Sequence, residues 1–136
     1  MSLLTIKKVT EIELLEKASN FDYFCFYSED NYLIYNNNRV VGFLCGKYNN
    51  LNNDLFIEIV ELHTKGKGLG KVLVKELFNQ LNLNSISGKV LYEDNHRPYY
   101  FWKSVGADIE DKLSEYVNKK DSELPFSILN PLLVLV

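Results

Sequence analysis

Apolar residues recur along the chain in two rhythms, and the changes between them lay out the elements. LLTIKKV, from Leu3 to Val9, reads as a short strand. Thr10 followed by Glu13 has the spacing of a capping box and opens a helix running to about Ala18. The aromatic stretch SNFDYFCFYSEDN fits neither rhythm and reads as a second short helix or an irregular loop on the substrate side. YLIYNNNRVVGFLCGKY is a hairpin, with two β-rich runs around a turn at Asn36 to Asn38, residues that tolerate left-handed backbone. LFIEIVEL is the next strand, with Leu55, Ile57 and Ile59 expected on one face and Phe56, Glu58 and Val60 on the other.

Beyond it, Leu69, Val72, Leu73, Glu76, Leu77 and Leu81 form a helix-period stripe that leaves Lys71 and Lys75 outside. SISGKVLYE returns to strand. Asn95 is placed to cap a helix in HRPYYFWKSV, with Pro98 in its first turn, where a missing N–H costs little, and Gly106 at its end. GADIEDKLSEYV reads as strand and connector, and PFSILNPLLVLV as a final strand. The order β, α, hairpin, β, α, β, α, β predicts a mixed α/β (α+β) fold whose sheet is part antiparallel and part parallel.

Composition narrows the field. The 136 residues are expected to form one domain, 1–136, long enough to bury a core without staples. A net charge of −3 and a pI near 5.4 argue against broad nucleic-acid binding, which needs clustered cations. No secretory leader is visible in MSLLTIKKVTEIELL, and the apolar end ILNPLLVLV is too short to span a bilayer, so no membrane partner is expected. Cys25 and Cys45 lack CxxC spacing and read as buried thiols of a cytoplasmic protein. His63 and His96 lack companion ligands, so no metal is expected.

The chemistry concentrates in HTKGKGLGKVLVKEL, from His63 to Leu77. One reading is a plain helix start, with glycines making the turn and lysines facing water. The spacing rules out two phosphate loops. Gly70-Lys71 is followed by Val72 rather than Ser or Thr, and Gly66, Gly68 and Gly70 fall on every second residue rather than in GxGxxG. What remains is a strand feeding a glycine-rich turn into a helix N-terminus. There unpaired N–H groups and the helix dipole suit a phosphate, glycines allow close approach, and Lys65, Lys67 and Lys71 add charge.

Lys65-Gly66-Lys67-Gly68-Leu69-Gly70 resembles the signature of the GNAT family, the Gcn-five-related N-acetyltransferases, with Lys65 in place of the usual Arg or Gln. A second family element, Asn, then an aromatic, then Gly at fixed distances, is similar to Asn95, Trp102 and Gly106, with Pro98 where the family has Ala. The resemblance implies a GNAT-like, centrally splayed sheet flanked by helices and acetyl-coenzyme A as cosubstrate, without metal. It implies that backbone N–H groups from Lys67 to Lys71 hold the pyrophosphate. It further implies a bulged fourth strand, with Val60 and Leu62 beside the pantetheine arm and Asn95 on the arm's other side. The Val60 N–H or its neighbour would polarise the thioester carbonyl.

Acetyl transfer by direct attack needs a neutral amine, although such an amine has a reference pKa of roughly 10.4. The favoured base is Glu58, followed by Asp54 on the same predicted face and by Glu61, whose facing a bulge would change. Trp102 stands where the family places the Tyr that protonates the thiolate, and an indole is a donor but no usable acid. Tyr99 is the substitute candidate, with Tyr100 and Tyr92 nearby; a thiol can also leave unaided. Trp102 then packs against the thioester end of the cosubstrate. Tyr23, Tyr27 and Glu29, with Phe26 and Asp30, suit a cationic amine acceptor, small or peptidic. Two alternatives stay open: an acyl-coenzyme A-binding module without catalysis, and a regulatory domain holding another nucleotide. PLLVLV reads as core strand or dimer seam, leaving monomer or homodimer.

Overall fold

The computed structural model describes residues 4–21, 29–63, 68–91, 97–109 and 123–131. Strand β1 (Leu4–Val9) leads into helix α1 (Glu11–Ala18), where Thr10 Oγ1 accepts from the Glu13 N–H at 3.2 Å. Strands β2 (Asp30–Asn36) and β3 (Arg39–Asn49) form the expected hairpin, and Asn37 takes the left-handed turn position with φ 57°. Strand β4 (Asp54–Leu62), helix α2 (Leu69–Leu81) and strand β5 (Ser85–Leu91) follow. Helix α3 (Arg97–Ser104) and strands β6 (Asp108–Ile109) and β7 (Glu123–Leu129) complete the chain.

The seven strands form one sheet in the order β1-β2-β3-β4-β5-β7-β6. The β4–β5 pair is parallel and every other neighbouring pair antiparallel, so the sheet is mixed, as the element order predicts. Each face carries its own core. On one, Leu4, Ile6, Tyr32, Ile34, Leu44, Leu55 and Ile57 pack with Leu73, Leu77 and Phe78 of α2 and Tyr99 and Trp102 of α3. On the other, Leu14 and Ala18 of α1, with Phe21, cover Leu33, Phe43 and Cys45. Edge strand β1 is tied to α2 by one side chain: Gln80 Nε2 donates to the Leu4 carbonyl and its Oε1 accepts from the Ile6 N–H, both at 2.9 Å.

The sheet departs from the predicted alternation in β4. Cys45 pairs with Ile59 and Gly46 with Ile57, so Glu58 is an extra residue, a bulge that shifts the phase of the strand. Ile59 therefore packs in the α1-side cluster, opposite Leu55 and Ile57, while Val60 and Leu62 return to the face of α2 and α3. That corrects the expected grouping of Ile59 with Leu55 and Ile57, and of Val60 with Phe56. Gly46 stands across from the bulge because a Cβ there would run into the Phe56 carbonyl oxygen.

Candidate active site

The bulge coincides with the point where the sheet opens. Parallel pairing of β4 with β5 runs from Asp54–Ser85 to Ile57–Gly88 and stops. Beyond it β4 continues along β3 to Leu62, while β5 continues along β7 to Leu91. Residues 58–62 and 89–91 are thus the two margins of a gap within a continuous sheet. Aromatic rings pack behind its apex. A Cβ on Gly88 would lie 2.8 Å from the Phe126 ring and 3.0 Å from the Ile57 carbonyl oxygen, so glycine lets both close in. Phe126 stacks on the Trp102 indole with centroids 4.1 Å apart.

Helix α2 begins at the same end of β4. Its N-cap is Gly68, in the left-handed region at φ 78°, with no side chain capping the first turn and no acidic residue in it. The first helical bond runs from the Val72 N–H to the Gly68 carbonyl at 3.3 Å. The preceding amides of Leu69, Gly70 and Lys71 are therefore the unpaired donors every helix start carries. Among the described residues, none beyond its chain neighbours and its own helix backbone lies within 4 Å of where a Gly68 side chain would begin. Gly70 has a different reason. A Cβ there would sit 2.6 Å from the Phe101 ring, which fixes α3 against the first turn of α2.

The candidate residues separate in space. Glu58 is the exposed bulge residue, and Val60 and Leu62 follow it along the same margin. Asp54 sits at the far end of the paired segment, its carboxylate accepting from Ser85 Oγ at 2.6 Å and Ser87 Oγ at 2.9 Å. There it ties β4 to β5 below the gap. Tyr99 is buried in the α2–α3 cluster, edge-on to Tyr100 at 5.4 Å with the Lys103 ammonium 6.0 Å from its ring. Trp102, 8% exposed, has its indole against Phe126. Glu29 is exposed, 3.9 Å from Lys47, and Asp30 is engaged by Lys8 at 3.0 Å and by the Tyr48 N–H at 2.8 Å. Lys65, Gly66, Lys67, Asn95, Tyr23, Tyr27 and Tyr92 lie outside the described residues.

Glu61, the third candidate base, is 8% exposed on the α1 face of β4, its facing set by the bulge. Two features of the site surroundings are not among the sequence expectations. His63 stacks on Phe21 at 4.1 Å, and Phe21 meets Phe43 edge-on at 5.3 Å, which joins the end of β4 to the chain leaving α1. A cleft lined by Asn36, Asn37, Arg39, Val41 and His63 opens beside that joint. Among the described residues no group of His, Cys, Asp or Glu is arranged to hold a metal. Among the described residues no helix is long and apolar enough to cross a membrane.

Solved acetyltransferases superpose on this chain over nearly its whole length. A chimera of the Vibrio cholerae spermidine N-acetyltransferase SpeG and hSSAT superposes with a TM-score of 0.67 at 14% identity, covering 99% of this chain and 100% of that one. This chain has the GNAT fold. Arabidopsis thaliana Naa50, solved with the bisubstrate analogue CoA-Ac-MVNAL, gives 0.63 at 18% identity over 94% of this chain and 99% of that one. Ard1 from Thermoplasma volcanium gives 0.58 at 17% identity over 93% and 97%. No family model matches the sequence, and no curated protein matches it.

Proposed function

We propose that the chain is an N-acetyltransferase that moves an acetyl group from acetyl-coenzyme A to a primary amine by direct attack in a ternary complex. The observation that carries this reading is the coincidence at one end of β4 of a gap between parallel strands and an uncapped, glycine-led helix N-terminus. A pyrophosphate fits the donors of Leu69, Gly70 and Lys71 and the open space at Gly68, with Lys71 adding charge. Lys65, Gly66, Lys67 and Asn95 complete that contact in this reading. The pantetheine arm fits the gap, along the margin formed by Val60 and Leu62. The likeness to Naa50, solved with a coenzyme A bisubstrate analogue, supports the same assignment.

Glu58 takes the proton of the attacking amine, since it is the carboxylate at the bulge and is exposed on the gap margin. Asp54 holds the β4–β5 pair through its two serines and serves the reaction only by fixing where the gap begins. The Val60 N–H polarises the thioester carbonyl. Tyr99 is the remaining donor for the departing thiolate, and the acceptor, with Tyr23, Tyr27 and Glu29 lining its approach, is a small or peptidic amine. Thiol release should be measured with acetyl-coenzyme A and a panel of polyamines, amino acids and free N-terminal peptides. Turnover that Glu58→Gln lowers at least tenfold, with cosubstrate affinity kept, supports the reading. A Glu58→Gln enzyme with full activity removes Glu58 from it.

The buried Trp102, stacked on Phe126, favours a second reading: a module that binds acyl-coenzyme A without transferring it. Calorimetric binding of acetyl-coenzyme A without thiol release on any acceptor would select that alternative.

A further inference from the structure

On the face of α2 and α3, strand register sets Ile57, Gly88 and Phe126 side by side across β4, β5 and β7. This row is the last in which β4 and β5 pair, so it closes the narrow end of the gap. Gly88 has no side chain, and the tip of the Phe126 ring takes the place of one. A Cβ on Gly88 would stand 2.8 Å from Phe126 Cε2, 2.9 Å from its Cζ and 3.0 Å from the Ile57 carbonyl oxygen. The ring therefore leans from β7 over β5. The Trp102 indole holds it there, stacked with centroids 4.1 Å apart and planes within 24°, and both rings are buried. Beyond this row the two margins carry Val60 and Val90, which pack with the same apolar cluster. On this face the apex of the gap is apolar and already filled by an aromatic ring. Close-packed interiors of this kind give little room to an added methylene.

We propose that Phe126, backed by Trp102, is a specificity-determining residue for the acyl group and limits it to acetyl. The inference rests on the acetyltransferase reading above, which puts the cosubstrate on this face. There the α2 N-terminus takes the pyrophosphate, and the arm follows the margin of Leu62 and Val60 into the gap. Along that margin the next row is Ile57, Gly88 and Phe126, so the acyl end of the arm is the part that meets the ring. The donor class is a short acyl thioester. A butyryl chain carries two more methylenes than acetyl, and the space they need is the space the Phe126 ring occupies. Trp102 keeps the ring from turning aside to admit them.

The test titrates coenzyme A, acetyl-coenzyme A and butyryl-coenzyme A by calorimetry into the wild-type chain, Phe126→Ala, Phe126→Leu and Ile128→Val. Binding is read rather than turnover, so the result does not depend on the acceptor. The wild type should bind acetyl-coenzyme A at least about tenfold more tightly than butyryl-coenzyme A, the scale of an overpacked core. Phe126→Ala should bring the two within about threefold of each other, with acetyl-coenzyme A affinity within about threefold of the wild type's. Phe126→Leu should fall between. Ile128 lies on the same strand and face, one row below the apex, where it pairs with Ile86 and is as buried as Phe126. Ile128→Val should therefore keep the wild-type ratio. A wild type indifferent to acyl length, an unchanged ratio in Phe126→Ala, or an equal change in Ile128→Val overturns the proposal. Should Phe126→Ala fail to fold, Phe126→Leu decides: a wild-type ratio there overturns it. A wild type that binds none of the three molecules overturns the acetyl-coenzyme A reading itself. One that binds all three equally leaves that reading standing and overturns this inference alone.

Discussion

Deleting Glu58 should straighten β4 without unfolding the sheet. The remaining residues then alternate cleanly: Leu55, Ile57, Val60 and Leu62 face α2 and α3, and Ile59 and Glu61 face α1. No apolar side chain has to change face, whereas a one-residue slip in an unbulged strand would flip every one. The β4–β5 pairing, which now ends at Ile57–Gly88, becomes free to continue along Lys89, Val90 and Leu91. Up to about three further ladder bonds, at a net of roughly 1 kcal/mol each, set the upper limit of the gain. Stability should therefore stay level or rise by about 1–3 kcal/mol in urea titration, with the slope unchanged. Closing the gap removes the channel for the pantetheine arm, so acetyl-coenzyme A affinity should fall at least a hundredfold by calorimetry. A deletion variant that binds as tightly as the wild type would refute the link between bulge and gap. One that unfolds would refute the register argument.

Other consequences follow from single contacts. Gly70→Ala gains up to roughly 1 kcal/mol of helix propensity but drives a methyl into Phe101, an overpacking cost of about 1–3 kcal/mol. It should lower the melting temperature, and a second change, Phe101→Leu, should restore it; additive effects of the two would contradict the contact. Gln80→Ala strips the Leu4 carbonyl and Ile6 N–H of their partner and should cost about 1–2 kcal/mol, with hydrogen exchange rising first in β1; unaltered exchange there would argue against the tie. Burial, with Asp30 and Tyr48 nearby, pushes the Tyr32 hydroxyl up to about 12. The folded state holds that proton more tightly than the unfolded chain does, so stability should fall as pH rises from about 10 to 12. Tyr32→Phe should flatten that fall, and an unchanged alkaline profile would count against it.

What could be read from the sequence was mostly what neighbouring residues decide among themselves. Thr10 and Glu13 announced α1, Asn37 the hairpin turn, and Gly106 the end of α3, where its N–H bonds the Lys103 carbonyl and the Ala107 N–H the Trp102 carbonyl in a Schellman closure. The glycine run gave the start of α2, and the two GNAT-like elements gave the sheet. Positions set by distant partners were harder. Ile59 was assigned to the wrong face because alternation assumes an unbroken pleat, and the bulge exists only through pairing with Cys45 and Gly46. The tie of Asp54 to Ser85 and Ser87, about thirty residues on, has no local signal, since its partners lie on another strand. Gly70 read as part of a phosphate cradle, yet its missing side chain also makes room for Phe101. The contact of Phe126 with Gly88 gave no signal at all, since it is visible only once β5 and β7 are paired.

The central claim is that the α2 N-terminus and the β4–β5 gap together hold acetyl-coenzyme A. Calorimetric titration of the wild-type chain and of Gly68→Val with acetyl-coenzyme A, and separately with ATP, tests it most directly. The account predicts one acetyl-coenzyme A site on the wild type that ATP does not compete for, and its loss in Gly68→Val, where a β-branched residue is forced to φ 78° at the phosphate. Equal binding by the variant, or a wild type that takes ATP and leaves acetyl-coenzyme A unbound, would contradict it.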